Sequence, residues 1–166
     1  PNAGLFRPEP AECYLMEALR GAGYRTQAAS NHDGTYDNFA AIISEHGRAD
    51  PQLPVTDLPP ALLNFDASAI YSDRAVLGRW WSGRLSEPAP RAALYYNSVS
   101  LHQGAYKSGQ APAWGNVERV RRYSEHARDS FRELEGFFEE LRASGRPVVV
   151  FFVGEHGAAL RGSRIQ

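Results

Sequence analysis

The fold is indicated by residues 148–164, which read V-V-V-F-F-V-G-E-H-G-A-A-L-R-G-S-R. The first six residues are an unbroken β-branched and aromatic run, which is typical of a strand buried on both faces of a sheet. Glu155 and His156 follow at once, between Gly154 and Gly157. Open α/β sheets bind ligands at the carboxyl ends of their strands, and a carboxylate beside an imidazole suits a metal ion. Glu155 and His156 are therefore candidate metal ligands. A polar, solvent-exposed loop at the end of a strand would have the same sequence pattern, so this alternative stays open.

Length and composition restrict the class of protein. The 166 residues are enough for one domain with a sizeable core. A hydrophobic fraction of 43% and a charged fraction of 22% are those of a globular protein and exclude disordered and fibrous classes. The net charge of −1 attracts no polyanion, so we expect no nucleic-acid partner. Cys13 has no second cysteine to pair with, and on a predicted helix with apolar neighbours it is expected to be a buried thiol.

Three segments are predicted to be strands, with helical patterns between them. The strands are residues 24–30, 91–99 and 148–153. Between the second and third helices, residues 46–69 are rich in proline and predict an irregular loop that packs on the surface. Strands separated by helices need crossover connections, so the sequence predicts an α/β fold with a mostly parallel sheet and helices on both faces. The predicted helices are residues 10–22, residues 36–45, a helix capped by Ser72-Asp73 that ends before Pro88, and residues 116–143.

The longest predicted helix, residues 116–143, has an apolar stripe at a spacing of three or four and charged residues on its other face. We expect the stripe to be buried and the charges to form solvated i,i+4 pairs. His46 and His126 are predicted to be ordinary exposed histidines. One ring of the Trp80-Trp81 pair should pack inward, and stacking on a sugar is an open alternative for the pair. The stripe consists of Val117, Val120, Tyr123, Ala127, Phe131, Leu134, Phe138 and Leu141.

Polar side chains follow each predicted strand. Asn31 and His32 follow the first, His102 follows the second, and Glu155 and His156 follow the third. Because the carboxyl ends of parallel strands meet at one edge of a sheet, these residues are expected to share one site for a metal or a phosphate group. A dinucleotide-binding domain is disfavoured, because no G-x-G-x-x-G follows the first strand.

Four segments carry a resemblance to a known family. They are N-H-D-G at 31–34, F-D-A-S-A-I-Y-S-D-R-A-V-L-G-R-W-W at 65–81, A-L-Y-Y-N-S-V-S-L-H-Q-G at 93–104, and V-V-V-F-F-V-G-E-H-G-A-A-L-R-G at 148–162. In this order, over nearly the whole chain, they resemble the periplasmic catalytic domain of the BcsG family, the bacterial cellulose phosphoethanolamine transferases. The wider alkaline-phosphatase and sulfatase superfamily commonly has D-H-G in place of E-H-G, and the A-A-L-R-G that follows narrows the resemblance further.

The resemblance implies roles for individual residues. Glu155 and His156 would be ligands of Zn²⁺, and His102 would be a catalytic residue that contacts the phosphoryl group or the far side of the metal site. Asn31 and His32, in the matching N-H-D-G segment, are expected to help bind the substrate. The family's remaining zinc ligand, a cysteine, and its serine nucleophile have no counterpart in these residues.

The resemblance also limits what this chain contains. Cys13 resembles a family cysteine that pairs with another cysteine upstream, so we do not expect it to bind the metal. We therefore expect residues 1–166 to be an internal portion of one catalytic α/β domain that resembles alkaline phosphatase. It would lack the first strand with its nucleophile and the C-terminal part with an active-site arginine, and it would be inactive alone. The serines that fail the position test for the nucleophile are Ser30, Ser68, Ser98 and Ser100.

The implied activity is zinc-dependent transfer of phosphoethanolamine from phosphatidylethanolamine to glucosyl hydroxyls of cellulose through a phosphoserine. The expected partners are this lipid donor, the cellulose acceptor and the cellulose synthase complex. The expected location is the periplasmic face of the bacterial inner membrane, with an anchor of upstream transmembrane helices that this sequence does not contain.

Three other functions stay open at this point. A lipid A phosphoethanolamine transferase or a sulfatase of the same superfamily would have the same half of the site. The first typically carries D-H-G and several disulfides here, and the second needs a C/S-x-P/A-x-R motif that this sequence lacks. A non-catalytic binding domain is the third possibility, and it predicts no stoichiometric metal.

Overall fold

A computed structural model of the protein describes Pro10 and residues 13–34, 39–50, 52–87, 91–102, 104–111 and 116–154. Within these ranges, no helix is both long enough and apolar enough to cross a bilayer. In chain order the elements are α1 (Leu15–Gly21), β1 (Arg25–Ser30), α2 (Phe39–His46), β2 (Pro60–Leu63), β3 (Ala69–Tyr71), α3 (Asp73–Ser86), β4 (Ala92–Asn97) and α4 (Asn116–Ala143).

Strands β1 and β4 form a parallel pair, with Arg25 opposite Ala92 and Ser30 opposite Asn97. The pair confirms the predicted α/β class and the predicted strands at 24–30 and 91–99. It is a small sheet, because among the described residues no third strand joins it.

Helices cover both faces of this pair. Successive residues of a strand point to opposite faces, and Ala28 and Ala29 do so here. Ala28 packs with Met16 of α1, and Ile43 of α2 lies against the same cluster. Ala29 packs on the opposite side with residues that include Val76 of α3. The main helical contact is between α3 and α4, whose buried residues Leu77, Trp81, Phe137 and Leu141 meet below Leu94 and Tyr96 of β4.

The predicted irregular loop at 46–69 is wrong in part. Strands β2 and β3 form an antiparallel hairpin, in which Leu63 lies opposite Ala69. Short strands with no alternating pattern leave no local signal, because their pairing depends on neighbours distant in sequence. The prediction that the segment packs is correct, since Val55 is buried and Leu58 lies against the same core cluster.

The predicted buried strand at 148–153 is wrong for this chain. These residues form no strand, and Phe151 and Val153 are 88% and 83% exposed. A strand obtains its hydrogen bonds from a neighbour, and this segment pairs with neither β1 nor β4. Its one aromatic contact among the described residues is between Phe152 and Phe131 of α4, with ring centroids 6.2 Å apart. The apolar composition of residues 148–153 indicated a preference for burial, but composition does not specify the neighbouring strand that burial in a sheet requires.

Helix α4 has the predicted bounds, but its predicted apolar stripe is buried only in part. Phe137 and Leu141 pack against α3, whereas Val117 and Phe131 of the predicted stripe are 86% and 55% exposed. The prediction that His126 is exposed is also wrong, because it is 7% exposed. Lys107, in the segment after β4, forms an ion pair with Asp129, one helical turn after His126.

Of the remaining single-residue predictions, the one for Cys13 is wrong and those for His46 and the Trp80-Trp81 pair are correct. Cys13 is exposed, contrary to the prediction, because it lies in a turn before α1, where its N–H donates to the Pro10 carbonyl. His46 is exposed, as predicted. Trp81 is buried and Trp80 is half-buried, so one ring of the pair packs inward, as predicted.

Candidate functional site

The carboxyl ends of β1 and β4 bring two polar exits to one edge of the parallel sheet. The strands end at paired residues, so they finish level with each other. Asn31 and His32 come directly after β1, and Ser100 and His102 come in the loop after β4. Glu155 and His156, the third predicted exit, lie outside the described residues.

Asn31 is fully buried, and its amide joins four segments. Its Oδ1 accepts the Val99 backbone N–H over 2.8 Å, which fixes the orientation of the amide because an N–H can only donate. Its Nδ2 faces the Tyr71 carbonyl at 3.1 Å, the Asp73 carboxylate at 3.2 Å and the Ser100 hydroxyl at 2.7 Å. The amide is thus used inside the protein, and contact between Asn31 and a substrate stays a prediction.

Asp73 is the charged centre of this buried cluster. It is 1% exposed, at the first position of α3. The Tyr96 hydroxyl donates to its Oδ1 over 2.5 Å, and the Ser100 hydroxyl donates to its Oδ2 over 2.6 Å. Burial raises the pKa of Asp73, while the hydrogen bonds from Ser100 and Tyr96 act in the opposite direction. Together with the Asn31 amide, these hydroxyl groups connect the start of α3 to the carboxyl ends of β1 and β4.

Tyr96 keeps its proton within this cluster. Burial and the neighbouring Asp73 carboxylate raise the pKa of its phenol well above the ordinary value. The hydroxyl is therefore a hydrogen-bond donor to Asp73 at every physiological pH, and its role is structural.

His32 is 5% exposed, and both ring nitrogens have partners. The Gly34 N–H lies 3.1 Å from Nδ1, and an Asp33 carboxylate oxygen lies 3.0 Å from the same nitrogen. Nε2 lies 2.8 Å from the Ser68 hydroxyl oxygen.

His102 differs from His32 in exposure and in orientation. It is exposed, and its Nδ1 lies 2.9 Å from Oδ1 of Asn64. The Phe65 ring lies beside the imidazole, with centroids 5.7 Å apart and a tilt of 34°. His102 is thus the accessible one of the two histidines at this edge.

The turn of the β2–β3 hairpin, residues 64–68, contacts both histidines. Asn64 contacts His102, and Ser68 contacts His32. The Asn64 N–H donates to the Ser68 carbonyl over 2.9 Å, and Ala67 adopts a φ of 66° to close the turn. The Ser68 hydroxyl and N–H both donate to Asp66, and these hydrogen bonds lower the pKa of its carboxyl group. The turn therefore bridges the two exits of the parallel sheet.

Asn64, Ser68 and Asp73 belong to the site but were not predicted as residues of it. The segment N-F-D-A-S at 64–68 has the asparagine, aspartate and serine of a side-chain-supported turn, which was the available signal. Asp73 was assigned only to the cap of α3. That cap is confirmed, since the Ser72 hydroxyl oxygen accepts the Ala75 N–H over 3.2 Å. No local pattern indicates that Asp73 is buried beside the end of β4.

Three of the serines near this edge are engaged with protein partners. Ser100 donates to Asp73, Ser68 donates to Asp66, and the Ser30 hydroxyl oxygen accepts the His32 backbone N–H over 3.2 Å. That none of these serines is the nucleophile stays a prediction.

The described part of the chain contains no metal centre by itself. Within it, no three histidine, cysteine, aspartate or glutamate side chains converge in a way that could hold an ion. His32 uses both nitrogens in hydrogen bonds, and His102 turns Nδ1 towards Asn64.

The fold and this site define an α/β domain with a polar site at the carboxyl edge of its parallel strands. The family model described as "Cellulose biosynthesis protein BcsG C-terminal domain" matches residues 1–166. The chain is 36% identical over 166 residues to the cellulose biosynthesis protein BcsG of Escherichia coli K12, covering 99% of this chain. It is 38% identical over 163 residues to the BcsG of Salmonella typhimurium LT2, covering 98% of this chain.

The chain therefore belongs to the BcsG C-terminal domain family. It spans 28% of the length of each of the two relatives.

Proposed function

We propose that the protein containing this chain acts in cellulose biosynthesis as a phosphoethanolamine transferase. The relatives named for cellulose biosynthesis support the process. The observation that carries the reaction is the position of His102: an exposed imidazole at the carboxyl edge of the sheet, held by Asn64 and Phe65. Such an imidazole can exchange a proton near neutral pH.

The proposed reaction has two halves. In the first, a serine oxygen outside this sequence bonds to the phosphorus of phosphatidylethanolamine, and the bond from phosphorus to the diacylglycerol oxygen breaks. In the second, a glucosyl hydroxyl oxygen of cellulose bonds to phosphorus, and the bond to the serine oxygen breaks. In each half, His102 takes the proton of the attacking hydroxyl and gives it to the departing oxygen. The net products are diacylglycerol and phosphoethanolamine cellulose.

We further propose that Glu155 and His156 bind zinc. Zinc supplies positive charge that stabilises phosphate oxygens and lowers the pKa of a bound hydroxyl. Zinc content of the purified full-length protein, compared with that of its His156→Ala variant, tests the assignment. Equal zinc in both would overturn it.

The phospholipid donor, the cellulose acceptor and the cellulose synthase complex as a partner belong to the same proposal. So does the periplasmic face of the inner membrane as the location, because the donor lipid and the growing polymer meet there. A protease added to intact spheroplasts tests this location, because it reaches domains on the periplasmic face. Protection of the labelled domain from this protease would contradict the location.

The reaction is tested with full-length protein, phosphatidylethanolamine labelled in its ethanolamine group, and cello-oligosaccharides. We expect label in the oligosaccharide and a decrease of about 10²- to 10⁴-fold in the His102→Gln variant, the usual range for loss of a general acid–base. His46→Gln, at an exposed histidine at the end of α2, is the matched control and should keep full activity. Label in lipid A instead of the oligosaccharide would show that the acceptor is wrong.

A further inference from the structure

The orientation of the Asn64 amide is fixed by its own backbone. Its Oδ1 accepts the Phe65 backbone N–H over 2.9 Å. An N–H can only donate, so the atom that it faces must be the carbonyl oxygen and not the amide nitrogen. The same oxygen lies 2.9 Å from Nδ1 of His102.

This contact determines where His102 carries its proton. A carbonyl oxygen can only accept, so Nδ1 of His102 must be the donor. In the neutral ring the proton then sits on Nδ1, and Nε2 has the lone pair. In the protonated ring Nδ1 keeps its hydrogen, so only Nε2 gains or loses a proton.

Asn64 is held independently of His102. It is 4% exposed, its N–H donates to the Ser68 carbonyl, and its carbonyl accepts the Ala67 N–H over 2.9 Å. The preceding residue, Leu63, exchanges two backbone hydrogen bonds with Tyr106, of 2.7 and 2.8 Å. The hairpin and the loop after β4 are thereby joined at Tyr106, four residues after His102.

We propose that Asn64 is a positioning residue that fixes His102 as the Nδ1-protonated tautomer and so directs proton exchange through Nε2. The step from this tautomer to catalysis rests on the proposed function of His102, but the tautomer itself does not. A carboxylate at position 64 could accept the same two hydrogen bonds, whereas a methyl group could accept neither. Asn64→Asp is therefore a conservative variant, and Asn64→Ala removes the interaction.

The test is a long-range ¹H–¹⁵N NMR spectrum of the full-length protein with ¹⁵N-labelled histidine, above the pH at which the imidazoles are neutral. The His102 signals are assigned by their loss in His102→Gln. We expect a pyrrole-type Nδ1 and a pyridine-type Nε2 in the wild type and in Asn64→Asp, and a mixture of tautomers in Asn64→Ala. Ser68→Ala, in the same turn, is the matched control and should leave the His102 signals unchanged.

A wild-type His102 with its proton on Nε2, or an Asn64→Ala spectrum identical to that of the wild type, would overturn the inference. The His32 signals should be the same in the wild type and in both Asn64 variants, which shows that the site has folded. Loss of the Nδ1-protonated form in Asn64→Asp as well as in Asn64→Ala would also overturn it.

The transfer assay provides the second measurement. We expect the rate to fall about 10- to 100-fold in Asn64→Ala, the usual effect of losing a partner that orients a functional histidine, and to recover in Asn64→Asp. A wild-type protein with the expected NMR signals and no transfer activity would remove the proposed function and leave the tautomer assignment intact. Full activity in Asn64→Ala with an altered spectrum would show that the tautomer does not matter to the reaction, and would overturn the positioning role.

Discussion

The Ser100 hydroxyl donates a hydrogen bond of 2.6 Å to the Asp73 carboxylate and so fastens the loop after β4 to the first turn of α3. Both residues are almost completely buried, at 4% and 1% exposure. The loop that Ser100 anchors carries His102 two residues further on. The accessible histidine thus depends on a buried ion for its position.

Removal of the Ser100 hydroxyl should destabilise the protein. Ser100→Ala deprives a buried carboxylate of one donor, and hydrogen bonds to charged groups typically contribute about 1.5–3 kcal/mol. We expect a loss of this size in the free energy of unfolding, measured by urea denaturation. Ser82→Ala, at an exposed position of α3, should change it by less than about 0.5 kcal/mol. Equal effects of the two substitutions would contradict the anchoring role of Ser100.

Gly104 should be intolerant of alanine. It has a φ of 90°, and a Cβ built on it would lie 3.1 Å from Cβ of Phe65, which packs beside His102. Gly104→Ala should cost about 1–2 kcal/mol through backbone strain and also lower transfer activity by displacing Phe65. Gly109→Ala has the same strain at a φ of 81° but nothing within 4 Å, so it should cost stability without reducing activity. Full activity in Gly104→Ala would show that the Phe65 contact does not position His102.

His126 should make stability depend on pH below neutrality. Burial first, and then Lys107, lower the pKa of this imidazole, while Asp129 and Glu125 oppose the shift. Below pH 6.5 the unfolded chain therefore takes up a proton that the native state resists, so the free energy of unfolding falls as the pH falls. We expect the melting temperature to drop between pH 7.5 and pH 5.5, and the drop to shrink in His126→Gln. His46→Gln should retain the wild-type slope, and an unchanged slope in His126→Gln would exclude His126 as its source.

The ion pairs at the start of α4 should be lost in acid. Hydrogen bonds from Arg121 and Arg122 lower the pKa of Glu118 to about 2. Glu118 thus stabilises the native state above pH 4.5, and this contribution disappears as the pH falls from 4.5 towards 2. Circular dichroism should show the wild type losing its stability advantage over Glu118→Gln across this interval. Glu139→Gln, elsewhere on the exposed side of α4, should not reproduce the effect.

Elements with a strong local pattern were predicted well. The spacing of apolar residues indicated α4 with its observed bounds, and Ser72 marked the start of α3. The apolar segment 91–99 indicated β4, and residues 24–30 were predicted as a short strand before a polar turn. The helices between these two strands required the parallel pairing. Because parallel strands end at one edge, the meeting of the two histidine exits could be predicted as well.

The errors arose where a neighbour distant in sequence decides the outcome. Strands β2 and β3 are too short for a periodic signal and exist through their mutual pairing. The segment 148–153 is apolar, but strand formation needs an edge that its composition cannot specify. His126 is buried at a position where the spacing of α4 indicated exposure. Asn64 and Asp73 acquire their roles from side-chain contacts across the hairpin and the helix, which no spacing encodes.

The pairing of β1 with β4 has a kinetic consequence. Arg25 finds Ala92 only after a long intervening segment has been closed, and such distant pairings form late and slowly. On the ribosome, β1 and the following His32 emerge well before β4 can pair with β1. The hairpin turn at 64–68 likewise emerges before the loop after β4, which it contacts at His102. We therefore expect the two histidines to come together at the end of folding. In a slow-folding variant the helices would form first, and the site would be incomplete until β1 pairs with β4.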